Sequence, residues 1–231
     1  MKIRLLLVPG MLNNERLWRH VAPALADVAD CIMPAFAEQD SVASMASHAL
    51  AMAGEGPFAL AGFSMGGYVA QEIVHLAPAR VQRLALIDTG SGAASDAERV
   101  AMDKTAAATV KDFTKVLERM LPGSIHPSRA EDGAMREDLL GMWGEVGAAA
   151  FVRHCRAAAN RPDRREDLRR WRGPVTVICG REDQVQPPDL SRELAAICGL
   201  GDVAWIEACG HLSPLERPQE LAALLRRWLA G

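Results

Sequence analysis

The hydrophobic positions along the chain alternate between two patterns. Short, mainly apolar runs occur at Ile3 to Val8, Cys31 to Pro34, Phe58 to Ala61, Val81 to Ile87, Pro174 to Cys179 and Val203 to Ile206. Between most of them lie stretches whose apolar residues recur every three or four positions. Mainly apolar runs of this length predict strands buried on both faces, and the intervening periodicity predicts amphipathic helices. One helix is expected over Glu15 to Ala26, with Leu17, Trp18, Val21, Ala22 and Leu25 on one side. A second is expected over Ser41 to Ala53, capped by Asp40 or Ser41. Others follow from Met65 to about Pro78, from Asp189 to Ile197 and from Pro214 to Leu229. The alternation predicts an α/β fold: a roughly six-stranded, mainly parallel sheet with helices on both faces.

The alternation lapses once. From about Ser91 to Leu168 no convincing strand is visible, and Pro122-Gly123, Pro127, Gly133, Gly144 and Pro162 punctuate an Ala-, Met-, Leu- and Arg-rich segment. This reads as four or five short helices inserted after the fourth strand. The expected division is a core of 1–90 and 169–231 with an inserted helical unit of 91–168.

Composition narrows the function classes. With 49% hydrophobic and 24% charged residues, the 231-residue chain has the make-up of a soluble globular protein. A net charge of −3 gives no global reason to expect nucleic acid or a membrane surface as partner. The Met1-Lys2-Ile3-Arg4 start followed by Leu5 to Val8 has some of the form of a secretory signal. The apolar run is short, however, and Pro9-Gly10 ends it without a small-residue cleavage site, so a first strand fits better. Five scattered cysteines (Cys31, Cys155, Cys179, Cys198, Cys209) form no C-x-x-C pair, and a reducing, cytoplasmic setting is expected.

The candidate chemistry centres on Gly62-Phe63-Ser64-Met65-Gly66-Gly67, which sits between a strand and a helix. A serine in G-x-S-x-G at such a junction is forced onto a tight turn with its hydroxyl outward, at the positive end of the helix. A hydroxyl is a poor nucleophile near neutral pH and needs a base together with a group that orients it. Asp183 follows the fifth strand in Gly180-Arg181-Glu182-Asp183, and His211 follows the sixth in Cys209-Gly210-His211. In a parallel sheet the strands' C-terminal ends share one edge, which would bring Ser64, Asp183 and His211 together. Asp88, also at a strand end, is a reserve acid, and Glu182 is a neighbouring alternative. His20, His48, His75, His126 and His154 show no metal-ligand spacing, and no phosphate- or dinucleotide-binding glycine motif is present, so no cofactor or metal is expected.

These motifs resemble the α/β-hydrolase superfamily over nearly the whole chain: Gly10 with Trp18 after the first strand, GFSMGG at 62–67, GREDQVQP at 180–187 and CGHLSPLERP at 209–218. The resemblance implies an α/β-hydrolase fold whose inserted segment 91–168 is a helical cap over the serine. It also implies Ser64 as nucleophile, His211 as base and then acid, Asp183 as its partner, and the backbone N–H groups of Met11 and Met65 as an oxyanion hole. Two departures are visible. Pro9 stands where the family usually has a histidine, so that residue's hydrogen bonds are missing from the loop, and no counterpart is seen of the pair of strands that usually precedes.

The expected activity is hydrolysis of a small ester or related carbonyl compound through an acyl-enzyme. Alternatives are elimination or carbon–carbon cleavage at the same site, and a ligand-sensing protein that retains it. Trp143, Met120 and Met142 are candidates for an apolar pocket. Between Arg153 and Arg172, eight arginines face only Asp163, Glu166 and Asp167. The ordinary reading is a solvated, ion-paired helical face; the sharper one is attraction of an anionic or carrier-linked small-molecule substrate.

Overall fold

The computed structural model describes residues 2–231. The six strands are β1 (Ile3–Val8), β2 (Ala29–Ile32), β3 (Phe58–Phe63), β4 (Val81–Ile87), β5 (Val175–Gly180) and β6 (Ala204–Ile206). They form one sheet in the order β2-β1-β3-β4-β5-β6, with every neighbouring pair parallel. Alternate residues of β1 serve opposite faces, as strand geometry requires. Leu5 and Leu7 join Trp18, Phe63, Trp143, Phe151, Leu221 and Leu225 on one side. Leu6 and Val8 join Val42, Met45, Val69, Ile73 and Leu194 on the other. Both faces are covered, which is why the strands read as mainly apolar runs.

The helix expected over Glu15 to Ala26 is instead a 3₁₀ turn at Glu15–Trp18 and a single turn, α1 (Val21–Ala24). Pro23 accounts for the difference. A continuous helix would require its missing N–H, whereas in the first turn of α1 that N–H is not needed. The chain then runs through α2 (Val42–Met52), α3 (Met65–Leu76), α4 (Asp96–Lys111), α5 (Phe113–Ser124), α6 (Gly133–Ala159) and α7 (Arg165–Arg170). It ends with α8 (Pro188–Ile197), α9 (Ser213–Glu216) and α10 (Pro218–Ala230). Ser41, not Asp40, caps α2, through a reciprocal pair with Ser44. The single helix expected over Pro214 to Leu229 is broken into α9 and α10. Pro218 disfavours helical geometry at Arg217, whose φ/ψ are −137° and 54°.

Helices α4 to α7 occupy the interval between β4 and β5. Here α6 is longer than expected, at 27 residues, with a break at Gly147, where φ is 83°. Of these helices, α7 packs against α3 and α8. Among the described residues no helix is long and apolar enough to cross a membrane.

Candidate active site

The turn at Ser64 is set by close packing. Its φ of 52° and ψ of −120° lie outside the ordinary regions for a residue with a side chain, a strain of about 1–3 kcal/mol that neighbouring bonds must hold in place. Ser64 N–H donates to the Ile87 carbonyl at 2.9 Å, and its own carbonyl accepts from the Thr89 hydroxyl at 2.8 Å. A Cβ on Gly62 would lie 2.3 Å from the Gly66 carbonyl oxygen, and one on Gly66 would lie 2.3 Å from that of Val8. Only glycine lets β1, β3 and α3 meet this tightly.

His211 reaches the serine from the loop between β6 and α9. Its Nε2 lies 2.9 Å from Ser64 Oγ, and its Nδ1 lies 2.8 Å from Asp183 Oδ2. The other Asp183 oxygen accepts the N–H groups of Val185 and Gln186 at 2.8 and 2.9 Å. A carboxylate so occupied cannot rotate, and it selects the histidine tautomer with hydrogen on Nδ1, leaving the Nε2 lone pair for the serine. All three residues are buried. Burial disfavours the charged imidazole, but Asp183's charge and hydrogen bond outweigh it and raise the His211 pKa.

The structure also separates the three acids. Glu182 accepts the Cys209 N–H at 3.0 Å and so clamps the histidine loop. Asp88 accepts the Gly180 N–H at 2.7 Å and engages the Ser213 hydroxyl. Neither touches His211. Asp88, Cys179 and Asp183 are close enough to share a metal ion. The same two aspartates are nevertheless committed to protein donors, and burial pushes the Cys179 thiol well up, away from the thiolate a metal needs.

A cavity of about 260 Å³ opens on Ser64 and His211, lined by Met11, Leu12, Asn13, Met120, Trp143 and Val185 among others. Met65 begins α3, where the first N–H groups lack intrahelical acceptors. Met11 lies in the turn after β1, and Gly10 packs so closely that a Cβ there would sit 3.0 Å from Ser64 Cβ. Of the three expected pocket residues, Trp143 and Met120 line the cavity. Met142 does not: it is fully buried in the core. On a helix, adjacent residues point in directions about 100° apart, so Trp143 and Met142 cannot both face the serine.

The arginine-rich segment is answered locally. Arg164 makes a bidentate pair with Glu72, Arg165 pairs with Asp163 and Glu193, and Arg169 and Arg170 share Glu166. Arg161 is buried against Glu98 at 2.6 Å, with its guanidinium 4.4 Å from the centre of the Tyr68 ring. The Tyr68 hydroxyl in turn donates to Gln186, beside Asp183. None of these arginines lines the cavity.

Sequence reading passed over two residues that brace the site. Glu216 is buried and accepts the Leu212 N–H at 3.1 Å and the His126 N–H at 2.7 Å, tying the histidine loop to the inserted helices. His154, set aside for want of metal spacing, contacts the loop that carries Met11. Tertiary contacts of this kind leave no local pattern to read.

The model for the Alpha/beta hydrolase family matches residues 5–224. The chain belongs to the α/β-hydrolase family. A curated relative in Mycobacterium tuberculosis, provisionally named non-heme bromoperoxidase BpoC, is 26% identical over 183 residues, covering 76% of this chain and 69% of the relative. Among solved structures, a thermophilic esterase from Thermogutta terrifontis superposes with a TM-score of 0.90 at 24% identity, covering 100% of this chain and 90% of that one. The enol-lactonase of Burkholderia xenovorans LB400 gives 0.87 at 15% identity, covering 100% and 92%. At these identities the structural likenesses establish the shared α/β-hydrolase fold.

Proposed function

We propose that this α/β-hydrolase is a serine hydrolase that cleaves small, uncharged carboxylic esters through an acyl-enzyme. The observation that carries the reading is the unbroken chain from Ser64 Oγ through His211 to Asp183, at 2.9 and 2.8 Å. In the proposed reaction His211 Nε2 takes the Ser64 proton as Oγ attacks the carbonyl carbon, and Asp183 steadies the resulting imidazolium. The developing oxyanion is received by the N–H groups of Met11 and Met65. His211 then returns the proton to the leaving alcohol, and water repeats the sequence to release the acid.

The helices of 91–168 act as a cap in this reading, which is supported by Met120 and Trp143 lining the cavity above Ser64. A volume of about 260 Å³ with an apolar lining suits a short acyl chain and excludes a long one. Ester chemistry is also what the names of the Thermogutta esterase and the Burkholderia enol-lactonase describe. A chain-length series of p-nitrophenyl esters, followed with stopped-flow mixing, tests the reading. The expected result is a burst of nitrophenol stoichiometric with enzyme, and turnover that peaks at short acyl chains. Tight binding of such esters with no burst and no turnover would overturn it.

A further inference from the structure

The loop after β1 presents a physical difficulty. Pro9 supplies no side-chain hydrogen bond at the position where the family usually has a histidine, and Leu12 is held at a φ of 58°, in the left-handed region. Something else must fix the backbone that carries Met11. Two side chains do so, and they grip the two ends of one peptide unit. Asn13 Nδ2 donates to the Met11 carbonyl. The Leu12 N–H donates to His154 Nδ1, a long bond at 3.4 Å, while His154 Nε2 lies 2.7 Å from the Phe36 carbonyl oxygen.

The partners define the histidine's state. A carbonyl only accepts, so Nε2 must carry hydrogen, and an amide N–H only donates, so Nδ1 must offer its lone pair. His154 is thus a neutral imidazole. Burial of the ring, which is 1% exposed, pushes its pKa below the usual histidine value, in keeping with that state. The short bond to Phe36 locks the ring, and the ring then sets the direction of the Leu12 N–H. Because His154 belongs to α6, beyond the Gly147 break, the support comes from the inserted helices and not from the sheet.

We propose that His154 is a positioning residue for the oxyanion loop, replacing from the cap the support that Pro9 cannot give. The inference rests on the reading of the Met11 N–H as an oxyanion donor. It makes the competence of the oxyanion hole depend on the second half of α6 being seated over the core. The gripped peptide joins Met11 to Leu12 and directly follows the Gly10–Met11 peptide that carries the donor N–H, so slack in the first turns the second away from the oxyanion and weakens the transition state more than the ground state.

Two substitutions separate the ring's two nitrogens. Asn in place of His154 keeps an acceptor near Nδ1 and loses the reach to Phe36; Gln keeps a donor near Nε2 and loses the acceptor for Leu12. Loss of a whole oxyanion donor costs about 10²- to 10³-fold in kcat, so a misdirected one is expected to cost less. His154→Gln should lower kcat about 10- to 100-fold with KM changed less than about threefold, and weaken a trifluoromethyl ketone inhibitor in parallel with kcat. His154→Asn should recover most of that loss. Equal kcat for the two variants, or a greater loss in Asn, would overturn the proposal.

Should neither variant fold, nitrogen-15 NMR of the wild-type imidazole decides the matter: a neutral Nε2–H form is required, and an Nδ1–H form or an imidazolium at pH 7 overturns it. Fluorophosphonate labelling of the wild type keeps the two readings apart. A labelled, active wild type with indistinguishable Asn and Gln variants removes only the role of His154. A wild type that does not label removes the serine hydrolase reading, and this inference with it.

Discussion

Asp88 and Asp183 bring carboxylate oxygens within 4.8 Å of each other in the interior, yet only Asp183 bonds to His211. Burial, and then the charge of Asp183, push the Asp88 pKa up from 3.8 to about 8. Asp88 therefore holds a proton in the folded protein at pH values where it is ionised in the unfolded chain. Its contribution to stability is complete below pH 3.8 and is lost as pH rises towards 8. Asp88→Asn, isosteric with the protonated acid, should remove that dependence. Melting temperatures measured across this range should fall less with pH for the variant than for the wild type. Parallel curves would contradict the assignment.

In the proposed mechanism the protonation of His211 sets the acid side of the rate profile. The base must be neutral to accept the Ser64 proton, and Asp183 raises its pKa above the ordinary 6.5. Activity is lost as pH falls through that raised value. The acid limb of kcat/KM should have its midpoint above 6.5, and Asp183→Asn should lower both the midpoint and the rate. A wild-type midpoint below 6.5 would show that burial prevails over the carboxylate.

Gly66 tests the tightness of the serine turn. A Cβ there meets the backbone carbonyls of Val8 at 2.3 Å and Pro9 at 2.6 Å, and backbone cannot swing aside as a flexible side chain can. Gly66→Ala should destabilise the protein by about 3 kcal/mol. It should also depress kcat, because the strand end that moves leads into Gly10 and Met11. Gly144→Ala, inside α6 with nothing within 4 Å of the added Cβ, should instead stabilise the protein by about 0.5–1 kcal/mol. Chemical denaturation of both variants makes the comparison.

Trp143 and Met142 are adjacent in sequence and differ in what they touch. Trp143→Ala should enlarge the cavity and move the preferred ester towards longer acyl chains. Met142→Ala should leave that preference in place and cost about 2–5 kcal/mol of stability, as truncations in a packed core do. A shift of preference in the Met142 variant alone would reverse their roles.

The sheet was legible because its central strands are largely buried on both faces and therefore keep mainly apolar runs, and its parallel order placed Ser64, Asp183 and His211 at one edge. The local breaks were harder to read. Pro23 and Pro218 divide patterns whose periodicity is intact, since periodicity registers which face is apolar and not whether a given N–H is available. Met142 and Trp143 both read as pocket residues because hydrophobicity alone does not say which side of α6 faces the serine. The roles of Glu216 and His154 depend on contacts between segments 90 and 142 residues apart. Pro9 marked where a side-chain hydrogen bond is lacking; the His154 contact proposed to replace it required the fold.

The central claim is that Ser64 is a nucleophile activated by His211. Treatment with a fluorophosphonate followed by peptide mass spectrometry tests it directly. The account predicts one equivalent of label on the peptide bearing Ser64, no label in Ser64→Ala, and a loss of roughly 10⁴- to 10⁶-fold in kcat for that variant with the fold intact. Label on another residue, or turnover that survives the loss of Ser64, would contradict it.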